Sequence, residues 1–113
     1  MKRSIILLLV LVFGIPSVHA KDVEIQAGVF GGTLYQLSYA FSELAKNHAP
    51  DMSVTTVETP GSAAGIIKMS AKPDTRIAAA TYVTILEAVK GRPPFKEPFA
   101  DIRVIGNFTK NIQ

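Results

Sequence analysis

Segments of period two and segments of helical period alternate along this chain, and short turns of glycine, threonine and serine separate them. That order leaves few ways to fold. Val23, Ile25, Ala27 and Val29 alternate with Glu24, Gln26 and Gly28, the pattern of a strand. After the turn Gly31-Gly32-Thr33, the residues Leu34, Leu37, Phe41, Leu44 and Ala45 recur at helical spacing. Ser38, Ser42, Glu43 and Lys46 lie on the opposite side, which predicts an amphipathic helix that Thr33 caps and Pro50 closes. Ser53–Glu58, rich in valine and threonine, predicts a second strand. The turn Thr59-Pro60-Gly61-Ser62 then opens a short helix, with Ser62 as its cap, through about Ala71.

Arg76–Ala80 reads as a short buried strand, followed by a helix that carries Tyr82, Ile85, Leu86 and Val89 on one stripe. Thr81 is its expected cap and Gly91 its stop. Arg92–Pro98 is Pro-rich and linker-like, and Asp101–Asn107 predicts a fourth strand. Strands alternating with helices, without tight hairpins, predict an α/β fold with a mostly parallel sheet and helices on both faces. Nothing after Phe108 reads as a cover for the last strand, so the chain is expected to be the front portion of a longer protein.

The first twenty residues follow a different logic. Lys2 and Arg3 precede an unbroken apolar run from Ile5 to Phe13; Gly14, Pro16 and Ser17 break it, and Val18-His19-Ala20 presents small residues at a cleavage site. This is the three-part pattern of a secretory signal peptide over residues 1–20, cleaved after Ala20. A retained anchor is the alternative, although a spanning helix needs about 20 apolar residues. The exported chain, residues 21–113, is expected in the periplasm, and the absence of cysteine means it holds no disulfide and no thiolate metal site.

Charge excludes one class of partner. The whole chain carries 12 Lys+Arg against 9 Asp+Glu, for a net charge of +3. Lys2 and Arg3 leave with the signal, so the mature chain is nearly neutral. Its remaining charges are scattered without a basic cluster, which argues against nucleic acid.

Chemistry is expected beyond the carboxyl ends of the strands, where open α/β sheets bind ligands. Three turns reach that edge: Gly31-Gly32-Thr33, Thr59-Pro60-Gly61-Ser62 and Ala80-Thr81-Tyr82. Each opens a helix whose first N–H groups lack intrahelical partners and carry partial positive charge, suiting an anion such as a carboxylate. None of the three contains an acidic residue, although Glu58 lies just before the second. The ordinary alternative for each turn is glycine for a positive φ and a hydroxyl residue as a cap. Catalysis has little to work with: His48 is the sole histidine after residue 20, and no nucleophile elbow, zinc-protease or phosphate-loop motif occurs. No cofactor is expected.

The stretch Ala27-Gly28-Val29-Phe30-Gly31-Gly32-Thr33-Leu34-Tyr35 resembles the first strand and turn of the TAXI family of TRAP-transporter solute-binding proteins. Val57-Glu58-Thr59-Pro60-Gly61-Ser62-Ala63-Ala64 is similar to that family's second turn. Tyr82–Ala88 with Gly91 and Phe95 is similar to its next helix and loop, and Asp101–Ile105 to its next strand. The second turn departs from the family pattern at Pro60, which removes an N–H donor. The resemblance implies a type II periplasmic binding protein fold with two α/β lobes, of which residues 21–113 form the first part of lobe one. It implies a receptor that captures a small organic anion such as glutamate or a dicarboxylate and delivers it to the membrane permease subunits of an ion-gradient-driven TRAP transporter. Carried over by position, Gly32, Thr33, Tyr35, Thr59, Gly61, Ser62, Thr81 and Tyr82 are the expected ligand contacts. Competing readings with the same fold are a ligand-sensing partner of a signalling protein and the binding subunit of an ATP-driven anion transporter; an exported enzyme is the third.

Overall fold

The computed structural model describes residues 20–108, so the expected signal peptide, apart from Ala20, lies outside the described residues. The elements run β1 (Lys21–Gln26), α1 (Thr33–His48), β2 (Met52–Val57), α2 (Ser62–Ser70), β3 (Arg76–Ala78) and α3 (Tyr82–Lys90). The three strands form one parallel sheet in the order β2-β1-β3. Gln26 is level with Val57 on one side and with Ala78 on the other, so all three strands end together. This is the expected α/β arrangement.

The helices cover opposite faces. Ser42 Oγ lies 2.7 Å from Thr56 Oγ1, which places α1 on the face that carries Thr56 and its register partner Ile25. Gly65 of α2 approaches the other face so closely that an added Cβ would stand 3.3 Å from the Gln26 carbonyl oxygen. A glycine that costs helix propensity therefore serves here as a close-packing point.

The main core cluster is built from Ile66, Ala88 and Phe95, with Ala63, Met69, Ala78, Ile85 and Phe99 packed against it. Phe95 corrects the expectation of a linker over Arg92–Pro98. Its ring is buried and meets Phe99 edge-on at 5.6 Å, and the Phe99 N–H donates to the Ala88 carbonyl. The loop is pinned at its start by Gly91, which adopts φ +63°. The Gly91 N–H bonds the Ala88 carbonyl and the Arg92 N–H the Glu87 carbonyl, a Schellman closure of α3.

Two further expectations change. First, the apolar stripe of α1 does not meet the sheet. The buried residues of that helix are Ser38 and Ser42, while Leu37, Phe41 and Leu44 are exposed and Phe41 meets the Phe108 ring at 6.0 Å. The two serines satisfy their own hydroxyls on carbonyls one turn back, which lets a polar but narrow face approach β2. Second, Asp101–Asn107 joins no strand of the sheet; Val104 and Ile105 are exposed and Ile102 packs on the core cluster instead. Arg76 is half-buried, and its Nε donates to Glu24 Oε2 at 2.6 Å, bridging β3 and β1.

Candidate functional site

Parallel pairing sends all three strands to one edge, and each is followed there by a short turn and a helix. Residues 27–32, 58–61 and 79–81 therefore share one rim. Hydrogen bonds between the turns hold it together. The buried Thr59 hydroxyl accepts the Gly28 N–H at 2.9 Å and donates to the Gly61 carbonyl at 3.3 Å, while the Thr59 N–H returns to the Gly28 carbonyl at 3.0 Å. Glu58 Oε1 accepts the Phe30 N–H at 3.1 Å. On the other side, Ser62 Oγ accepts the Thr81 N–H at 3.2 Å, tying the second turn to the third. Four of these contacts join segments distant in sequence into one unit.

The helix starts face this rim uncapped. The N-cap positions are Gly32, Gly61 and Thr81, and none makes a side-chain capping bond; none of the three helices has an acidic residue in its first turn. Thr33 and Ser62 accordingly sit at the first helical position and not at the caps where sequence reasoning puts them. The backbone explains the second case. Gly61 has φ +148°, which L side chains rarely adopt, so the residue that makes the turn must be the glycine. Thr81 is the N-cap as expected, but its hydroxyl pairs with that of Thr84 at 2.8 Å, leaving the first backbone N–H groups of α3 to other partners.

The eight residues singled out from the sequence divide into two sets. Gly32, Thr33, Gly61, Ser62, Thr81 and Tyr82 all lie at helix starts on the common rim. Tyr35 lies in the first turn of α1, half-buried, with its ring 5.1 Å from that of Phe30. Thr59 is only 1% exposed and its hydroxyl is spent on Gly28 and Gly61, so it braces the rim. Sequence reasoning missed Phe30 and the bracing part of Glu58; the only signal for either is that they flank the turns. A hollow lined by Ser42, Lys46, Pro50 and Ser53 opens at the other end of β2, away from the rim.

Electrostatically the rim combines three helix N-termini with a single charged side chain, Glu58, across residues 27–33, 57–62 and 79–82. Lys46, His48, Lys68 and Lys90 sit in the last turns of the helices, at their negative ends. Among the described residues, no group of three His, Asp or Glu side chains is placed to hold a metal ion, and no helix is long and apolar enough to cross a membrane. What such a rim does chemically is offer N–H donors to a negatively charged group.

A family model described as the NMT1-like family matches residues 25–113, which takes in every element from within β1 onward and all three turns. The chain belongs to the NMT1-like family. This is a periplasmic solute-binding family related to TRAP-type binding proteins, made of receptors and not of enzymes. A solute-binding protein of the NMT1-like family binds a small molecule and interacts with a transporter, typically outside the cytoplasm. Comparisons with curated proteins and with solved structures give no match.

Proposed function

We propose that this NMT1-like chain is the amino-terminal portion of a TAXI-type receptor, exported by a signal peptide over residues 1–20 that is cleaved after Ala20. Residues 21–113 form the first part of one lobe. The receptor captures a small organic anion in a cleft bordered by the three-turn rim and hands it to an ion-gradient-driven TRAP permease. Gly32, Thr33, Tyr35, Gly61, Ser62, Thr81 and Tyr82 contact the solute, and Thr59 holds the turns that carry them. Glutamate and dicarboxylates are the solutes that the TAXI resemblance implies.

The observation that carries this reading is the convergence of three uncapped helix N-termini on one edge, cross-bonded through Thr59 and Ser62. Donors fixed before the ligand arrives need no reordering on binding, so their full attraction is available to the anion. Binding depends on oriented backbone dipoles and hydroxyls, with no charged clamp from these turns.

Titration calorimetry tests the proposal. The full-length protein is expected to bind a small carboxylate with measurable heat, and residues 21–113 alone are expected not to. Equal affinity in the shorter piece contradicts the two-lobe reading, and a full-length protein that binds no small carboxylate contradicts the receptor reading.

A further inference from the structure

The rim carries more apolar surface than an anion requires. Phe30 is 74% exposed, Val29 53%, Tyr82 66% and Val83 63%; Val29 and Phe30 directly precede the first turn, Tyr82 closes the third and Val83 follows it. Single exposed apolar residues are ordinary, but a group of them on one edge marks a surface that something covers. Phe30 is also held in place. Its backbone N–H is bonded to Glu58 Oε1 and its ring stands edge-on to Tyr35, so the ring is fixed while most of it faces solvent.

Charge narrows what that surface accepts. Glu58 is the sole charged side chain of the rim, and it is held beside Phe30. Aromatic faces are electronegative as well. A solute with one carboxylate on the helix N-termini and a second one near Phe30 meets repulsion from both. A solute whose body is flat and apolar meets a matching wall, in the manner of binding sites that are mostly apolar with a few placed polar groups.

We infer that the preferred solute is a monocarboxylate with a planar, apolar body, such as an aryl carboxylate. Its carboxylate sits on the helix N-termini, its ring lies against Phe30 and Tyr35, and Glu58 discriminates against dianions. The inference rests on the organic-anion reading above and narrows it, away from dicarboxylates and glutamate. Phe30 and Glu58 are the residues that set specificity.

The test is calorimetry on the full-length protein with phenylacetate, succinate and glutamate at equal ionic strength. Phenylacetate is expected to bind at least about tenfold more tightly than either of the others. Phe30→Ala is expected to weaken phenylacetate by about tenfold and to strengthen succinate, because the ring face that repels its second carboxylate is gone. Glu58→Gln keeps an oxygen for the Phe30 N–H and is expected to strengthen succinate alone. Phe30→Leu, checked with Phe30→Ala for native circular dichroism, separates loss of the ring from loss of the fold. Succinate or glutamate binding as tightly as phenylacetate, or a Phe30→Ala protein that binds phenylacetate unchanged, overturns this inference and leaves the organic-anion receptor standing. Failure of all three to bind overturns both.

Discussion

Replacing Thr59 by valine keeps its volume but leaves the Gly28 N–H without its acceptor in a buried position. An unsatisfied buried donor costs about 1–3 kcal/mol, so Thr59→Val is expected to lower the denaturation midpoint accordingly, and Thr59→Ser to keep most of the stability. Equal midpoints for Thr59→Val and the parent protein contradict the bracing role. At Glu24 the consequence is one of pH. The hydrogen bond from Arg76 holds its carboxyl below the usual carboxylate range, partly opposed by desolvation and assisted by the charges of Arg76 and Lys72. A depressed folded-state pKa stabilises the protein above the unfolded value of about 4.3, and that contribution disappears as pH falls below it through the folded value. The pair is partly exposed, so the effect is modest. Glu24→Gln is expected to flatten the acid limb of stability as pH falls below the unfolded carboxylate value; an unchanged slope in acid titrations of both proteins counts against the bridge.

Helix α3 shows best what an element needs from a single residue. Gly91 takes the left-handed conformation that closes the helix, and a Cβ added there would stand 2.7 Å from the Pro98 nitrogen. Gly91→Ala is therefore expected to cost more than the about 1–2 kcal/mol of left-handed strain alone, measured by thermal unfolding. This stop was legible in the sequence because glycine after a helical stripe has one dominant use. The order of strands and helices was legible for the same kind of reason: Val23 to Val29 and the stripe from Tyr82 to Val89 each state a local period. What eluded sequence reasoning was set by distant partners. Nothing local says that Ser38 and Ser42, not Leu37 and Phe41, are the buried residues of α1, because that choice depends on how closely α1 approaches β2. Asp101–Asn107 has strand-like residues, yet no neighbouring strand within the described residues takes it up. The site divides in the same way. Glycine and hydroxyl turns before helices could be read from the chain, whereas the bond from Gly28 to Thr59 spans 31 positions and could not.

Over the whole molecule, parallel pairing turns three local turns into one surface. Gln26, Val57 and Ala78 end level, so the helices that follow begin on a common edge, and a hydrogen-bonded frame running from Phe30 through Thr59 and Ser62 to Thr81 keeps them there. Membership of the NMT1-like family gives that surface its context as a solute-binding receptor. On the function proposed above, three sets of amide hydrogens act on one solute. Following the backbone amides by nuclear magnetic resonance during titration of the full-length protein with a carboxylate addresses that joint action directly. The amides of residues 33–35, 62–64 and 82–84 are expected to shift together along a single binding curve. Shifts confined to one helix start, or three curves with different midpoints, would contradict it.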